Sequence, residues 1–266
     1  MPTIDLDGVT LHYTDEGEGE PVILIHGFPL SSELWTPQRA ALSANYRVLA
    51  LDLRGHGMSE PPHGAASVEM YADDVMAFMD ALGIGAVNLA GLSMGGYIVM
   101  ALLRRYPDRV RSIMLLATKA PGDTDAGKQA RNDMIALAET EGAGAVAEKM
   151  LPKMLTARTR DTNPELVEFA RSMMARTSVE GIVGALHALR ERPDSRPTLD
   201  GLALPALILV GQEDELTPPA EATAMEAAIR NARLEIVPDA SHLLNLEQPE
   251  PVNRAMQAFL DQLYSN

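Results

Sequence analysis

Three side chains at well-separated points of this sequence could together carry out acyl transfer: a serine hydroxyl, an imidazole and a carboxylate. Ser93 lies in Gly91-Leu92-Ser93-Met94-Gly95, a Gly-x-Ser-x-Gly pattern between the apolar runs Val87-Asn88-Leu89-Ala90 and Tyr97-Ile98-Val99-Met100. A strand that reverses directly into a helix forces its middle residue to a strained, positive φ. It also brings the two backbones nearly into contact, so the residues two before and two after must lack bulk. Gly91 and Gly95 meet that demand, and Gly96 gives the next helical position the same freedom. The pattern alone is weak, because a flexible Ser/Gly loop also produces it. Apolar runs on both sides with no polar spacer favour the elbow, with the Ser93 hydroxyl exposed at a helix N-terminus.

A serine hydroxyl is a poor nucleophile until a base takes its proton, and that base needs a third group to orient it. The chain has six histidines. His12 falls on an edge hairpin, His63 in a polar turn, and His187 on a helix where it could face a pocket. His26 and His56 each adjoin glycine at a strand end and read as loop-fixing hydrogen-bonders. His242 differs: it follows the last strand, in Pro238-Asp239-Ala240-Ser241-His242-Leu243, and is the expected base. After the penultimate strand come Glu213, Asp214 and Glu215. An acidic surface loop is the bland reading. Asp214 is the expected orienting acid, since it stands three residues after Gly211, where the turn should direct it back over the sheet.

The elements that must position these groups are legible as alternating runs. Thr3 to Leu6 and Val9 to Thr14 are β-prone around Asp7-Gly8, a hairpin signal. Val22 to Ile25, Val48 to Leu51, Val87 to Ala90, Val110 to Ala117, Ala206 to Val210 and Leu234 to Val237 are nearly all-apolar runs of strand length. Helical spacing separates them at Trp35 to Leu42, Val68 to Leu82, the stretch after Ser93, Pro219 to Ile229 and Pro249 to Leu263. This predicts an α/β fold: about eight strands in a mostly parallel sheet with helices on both faces. From Lys119 to about Leu202 the rhythm breaks into four helical patterns, about Gly127 to Glu141, Ala143 to Leu155, Pro164 to Arg176 and Val179 to Arg190. The expected organisation is a core of residues 1–118 and 203–266 with a helical cap, 119–202, inserted before the penultimate strand. An oligomerisation arm is the alternative use of that insertion. Ligands in such sheets bind beyond the carboxyl ends of the strands, where Ser93, Asp214 and His242 are all expected.

Composition sets outer bounds. A chain of 266 residues, 46% hydrophobic, suits one large domain or a domain with an insertion. No cysteine is present, so disulfides and thiolate chemistry are excluded. A formal net charge of −15 opposes binding to nucleic acid or anionic lipid. Met1-Pro2-Thr3-Ile4-Asp5 lacks a basic region followed by an apolar run, and no run approaches the roughly 20 apolar residues of a membrane span. A cytoplasmic enzyme acting on small molecules, monomer or homodimer, is the expectation. Neither His-Glu-x-x-His nor a phosphate-binding glycine loop occurs, so no metal or other cofactor is expected.

Taken together, His26-Gly27-Phe28-Pro29, Asp52-x-Arg54-Gly55-His56-Gly57-x-Ser59, Gly91-x-Ser93-x-Gly95, Gly211-x-x-Asp214 and Ser241-His242 resemble the α/β-hydrolase fold superfamily across the whole chain outside the cap. The resemblance implies a Ser93, Asp214, His242 triad. It also implies an oxyanion hole formed by the backbone N–H groups of Phe28 and Met94. Within the superfamily the sequence is similar to serine carboxylesterases, 3-oxoadipate enol-lactonase-like hydrolases, cofactor-free haloperoxidases and C–C bond hydrolases. Serine at 93 sets it apart from dehalogenases and epoxide hydrolases, which use a carboxylate there. A slow-turnover lactone-binding receptor on the same triad is the alternative from another class. The expected pocket residues are Phe28, Met94, Leu216 and Leu243, with Met150, Met154, Met173 and Met174 offered by the cap helices. Arg158, Arg160 and Arg190 could bind a carboxylate, but exposed arginines are the safer reading. A pocket without a fixed cation is expected to take small to medium, largely apolar esters or lactones.

Overall fold

Six apolar runs become six neighbouring strands, and the buried apolar side chains of the central ones alternate between two cores. A computed structural model of the chain describes residues 2–6, 8–61 and 66–264. In chain order the elements are β1 (Thr3–Asp5), β2 (Thr10–Glu16), β3 (Pro21–Ile25), α1 (Thr36–Leu42), β4 (Arg47–Leu51), α2 (Val68–Ala81), β5 (Val87–Leu92), α3 (Met94–Arg105) and β6 (Val110–Leu116). Then come α4 (Asp125–Met154), α5 (Ala157–Thr162), α6 (Pro164–Ala175), α7 (Val179–Glu191), α8 (Arg196–Leu199), β7 (Ala206–Gly211), α9 (Pro219–Ala228), β8 (Ala232–Val237), α10 (Leu244–Glu247) and α11 (Pro249–Tyr264).

Among the described residues eight strands form one sheet in the order β1-β2-β4-β3-β5-β6-β7-β8. β1 pairs antiparallel with β2 and β2 antiparallel with β4; every other pairing is parallel. The expected α/β fold is therefore present. The hairpin expected at Asp7-Gly8 forms, with Thr3 opposite His12, although Asp7 itself lies outside the described residues, as does His63. Ile23, Ile25, Leu49, Leu51, Leu89, Ile113 and Leu115 face the core shared with α2 and α3. Their alternating neighbours Val22, Leu24, Val48, Ala50, Ala90, Met114 and Leu116 face the core shared with α11. Burial on both faces is why these strands read as unbroken apolar runs rather than as alternating ones. Between β6 and β7 the chain is helical, and Gly142, at φ 82° and ψ −179°, breaks α4 between the two helical patterns expected there. Three short helices, α5, α8 and α10, have no counterpart in the sequence expectations, since four to six residues are too few to establish a period.

The β5–α3 reversal is held by close backbone contact. Ser93 sits at φ 54° and ψ −110°. A Cβ on Gly91 would overlap the Gly95 carbonyl, one on Gly95 would overlap the Ile25 carbonyl oxygen, and one on Gly96 would meet the Thr118 side chain. Alongside, two buried imidazoles fix the loops after β3 and β4. His26 Nδ1 donates to Gly27 O at 2.8 Å, so its Nε2 is the acceptor for the Leu53 N–H at 3.0 Å. His56 Nδ1 donates to Arg54 O at 3.1 Å. Burial pulls the His26 pKa down to about 4, against the hydrogen bond to Gly27. Burial, reinforced by the neighbouring His26, pulls His56 down to about 3. Both are therefore neutral in the folded protein.

Two predictions follow from this framework. Gly95→Ala should destabilise the fold by about 2 kcal/mol, because backbone rather than a flexible side chain occupies the space. Gly144→Ala, on α4 with open space around it, should stabilise by about 0.5–1 kcal/mol. Urea unfolding of both variants checks the pair, and equal effects would contradict the packing account. The second concerns acid. An unfolded histidine titrates near 6.5, so between about pH 6.5 and 4 the unfolded chain holds protons that folded His26 and His56 refuse. Their contribution to stability is complete above that window and falls by up to about 1.4 kcal/mol per pH unit for each group as the pH drops through it. His56→Asn should flatten this slope in urea titrations between pH 7 and 4.5, and an unchanged slope would contradict it.

Candidate active site

Ser93 stands at the carboxyl end of β5 as the N-cap of α3. Its N–H donates to Leu116 O on β6 at 2.9 Å, and its carbonyl accepts from Thr118 Oγ1 at 2.9 Å and from Gly96 N at 2.9 Å. With the backbone held on both sides, the side chain projects from the turn and remains partly exposed. Met94 is the first residue of α3, so its N–H is one of those with no partner inside the helix. The Phe28 N–H, in the loop fixed by His26, donates to no acceptor among the described residues.

Asp214 follows β7 and is 3% exposed, whereas Glu213 and Glu215 on either side are exposed. Its Oδ1 accepts from Leu216 N at 2.8 Å and Thr217 N at 3.0 Å. Its Oδ2 accepts from Thr217 Oγ1 at 2.7 Å and from His242 Nδ1 at 2.9 Å. Burial opposes ionisation of this carboxyl. The charge of His242, with the hydrogen bonds from His242 and Thr217, overcomes that and holds its pKa below the usual carboxylate range. With its Nδ1 engaged by Asp214, the His242 imidazole keeps Nε2 as the nitrogen not bonded to that carboxylate. His242 is 2% exposed, and its loop is stitched down on three sides. Glu213 N donates to Ala240 O at 2.9 Å, Leu243 N to Met154 O at 2.9 Å, and Ser241 N to Glu247 Oε2 at 2.6 Å.

Ser93 and His242 line one cavity of about 80 Å³, together with Phe28, Leu216 and Thr217. Tyr97, Met150 and Leu189 add apolar surface, and Lys119 and Arg131 bring two cations. A larger groove of about 450 Å³ runs between α8 and α9 and includes none of these residues. Of the four residues expected at the pocket, Phe28 and Leu216 are there. Met94 and Leu243 are not: both are fully buried, Met94 in the core shared with α2 and Leu243 in the core shared with α11. Met150 reaches the cavity, but Met154, Met173 and Met174 pack as core. His187 is not among the lining residues.

The largest departure from expectation is electrostatic. Arg158 is exposed beside Asp239, Arg160 is exposed, and Arg190 pairs with Glu191. The cations that do reach the cavity, Lys119 and Arg131, went unremarked in the sequence. Nothing local distinguishes Arg131 from other arginines in a polar helical stretch; only the packing of α4 against α7 turns it inward. Glu247 was missed for the same reason. Its two carboxylate oxygens bridge Thr156, in the helical insertion, and Ser241, beside His242.

Comparison with known proteins agrees with this architecture. The family model for the alpha/beta hydrolase fold matches residues 20–249. The chain is 30% identical to 3-oxoadipate enol-lactonase 2 of Acinetobacter baylyi over 97% of its own length and 96% of that protein. A solved thermophilic esterase from Thermogutta terrifontis, with malate bound, superposes with a TM-score of 0.94 at 39% identity, covering 98% of this chain and 96% of that one. The enol-lactonase from Burkholderia xenovorans LB400 gives a TM-score of 0.92 at 33% identity over 97% and 99% of the two chains. On its family match, its identity to full-length relatives and its sheet order, the chain belongs to the α/β-hydrolase fold family.

Proposed function

We propose that this protein is a serine hydrolase that cleaves carboxylic esters or lactones through an acyl-enzyme, with Ser93 as nucleophile, His242 as base and Asp214 as its orienting acid. The observation that carries the reading is the Asp214 Oδ2 to His242 Nδ1 contact at 2.9 Å, which leaves the imidazole's other nitrogen for the cavity that Ser93 also lines. Esterase and enol-lactonase relatives of full length support the substrate class.

In this mechanism His242 Nε2 takes the Ser93 proton as the oxygen attacks the acyl carbonyl. The negative charge that develops is met by the Phe28 and Met94 N–H groups. Each such donor is worth about 3–4 kcal/mol in the transition state, and the N-terminal end of α3 adds its dipole. His242 returns the proton to the leaving oxygen. Water then enters, gives its proton to His242, and releases the acid. Asp214, already ionised, stabilises the imidazolium in both halves without taking a proton. The helices between β6 and β7 act here as a cap: Thr177 Oγ1 donates to Pro29 O at 2.8 Å and Leu243 N to Met154 O at 2.9 Å, tying the insertion to both sides of the site.

Ser93→Ala should lower kcat for a short-chain aryl ester by about 10⁴-fold or more. Asp214→Asn should lower it by about 10⁴-fold, because the imidazole would then be held in the wrong tautomer. Steady-state hydrolysis with each purified variant is the measurement. Full turnover by Ser93→Ala would remove the proposed nucleophile.

A further inference from the structure

We infer that Glu247 is a positioning residue for this reaction: its carboxylate ties the residue before His242 to the helical insertion, so that the imidazole is in place for Ser93 only while the insertion is docked. This deepens the reading of His242 as base and rests on it.

β8 ends at Val237 and α10 begins at Leu244, so no regular ladder fixes residues 238–243. The backbone at His242 is set instead by bonds from its neighbours. On the core side, Glu213 N donates to Ala240 O at 2.9 Å and Ser241 Oγ to Glu213 O at 3.3 Å. The two N–H groups that flank His242 turn the other way. Leu243 N donates to Met154 O at 2.9 Å, and Ser241 N donates to Glu247 Oε2 at 2.6 Å. The second oxygen of Glu247 accepts from Thr156 N at 2.8 Å and from Thr156 Oγ1 at 2.9 Å. Thr156 is itself fixed as the N-cap of α5, where its hydroxyl accepts from Thr159 N at 3.0 Å. Both flanks of the imidazole therefore trace to one short stretch of the insertion, Met154 directly and Thr156 through Glu247.

A carboxylate suits this junction because it only accepts. Three donors from two separate parts of the chain converge on it, and a charged acceptor makes the shorter, stronger bonds. A glutamine of the same shape carries one oxygen and one NH₂ group. The NH₂ would face a backbone N–H, so one side of the bridge would open. None of Glu247, Thr156 and Ser241 lines the cavity that Ser93 and His242 share. Thr156 and Ser241 line a separate groove of about 390 Å³, together with Asp214 and Arg160. The bridge thus has no contact with a substrate in the cavity, and its effect passes through the imidazole. Displacing a catalytic group by about 1 Å costs on the order of 10²-fold in rate, so a loosened loop should register in kcat.

The test is steady-state hydrolysis of a short-chain aryl ester by Glu247→Gln, Thr156→Val and Glu250→Gln, read beside the histidine Cε1–H signals of protein labelled with carbon-13. Loss of one signal in His242→Ala identifies that of His242. Glu247→Gln should lower kcat about tenfold or more with KM changed by less than about twofold, and should move the His242 signal while the other histidine signals stay. Thr156→Val removes one donor on the insertion side and should act in the same direction by less. Combining the two should add little to Glu247→Gln alone, since both cut one bridge. Glu250→Gln, at an exposed carboxylate early in α11, should leave kcat and the signal as they were. Wild-type kcat in Glu247→Gln, a loss confined to KM or to the urea midpoint, or a lowered kcat with an unmoved His242 signal would overturn the positioning role. Full turnover by His242→Ala would overturn the base assignment instead, and the signal would still show whether Glu247 sets the imidazole's place.

Discussion

The backbone reversal at Ser93 is the constraint on which the site depends. A residue at φ 54° in a non-glycine position is strained, and here it is retained by its surroundings. The N–H is drawn to Leu116 on one neighbouring strand, the carbonyl is held by Thr118, and glycines at 91 and 95 let β3, β5 and α3 approach to backbone contact. The turn therefore cannot relax without separating the sheet from its first central helix. One consequence is that the hydroxyl is presented at the sheet's carboxyl edge by core packing rather than by a mobile loop. Another is that Thr118, which holds the turn, immediately precedes Lys119, so one segment both braces the elbow and brings a cation to the cavity.

Around that turn, the buried acids Asp214 and Asp123 are held by hydrogen bonds and opposite charge, and the buried histidines of the neighbouring loops are neutral. Asp214 has four hydrogen bonds, which stabilise its charge in a buried position. His26 and His56 meet the same requirement by staying uncharged. Asp123 meets it by standing between two guanidiniums. These solutions differ because their positions differ. The two histidines support loops from beneath, while Asp214 and Asp123 each orient another side chain that faces the cavity. Glu247 joins the two halves, since its carboxylate binds both the helical insertion and the loop carrying His242. One side chain thereby links the insertion to the residue that precedes the imidazole.

The fold was legible in the sequence because its central strands are buried on both faces. Val22 to Ile25 and Val48 to Leu51 could hardly be anything else, and even the break within α4 followed from the pause in pattern around Gly142. Ser93, Asp214 and His242 stood out because each follows a strand and carries its turn chemistry with it. What local pattern could not supply was direction. Met94 and Leu243 adjoin Ser93 and His242 in sequence yet point into opposite cores. Arg131 lies far from them in sequence and faces the same cavity. The expectation of a pocket without a cation failed for that reason, since the orientation of a helical arginine is decided by tertiary packing and by a partner such as Asp123.

The most direct measurement of the central claim, that Ser93 is activated by His242 held on Asp214, is reaction with a fluorophosphonate followed by intact and peptide mass spectrometry. The account predicts one adduct per chain, located on Ser93, forming far more slowly in His242→Ala. An unlabelled protein, an adduct on another residue, or labelling of Ser93 at the same rate without His242 would contradict it.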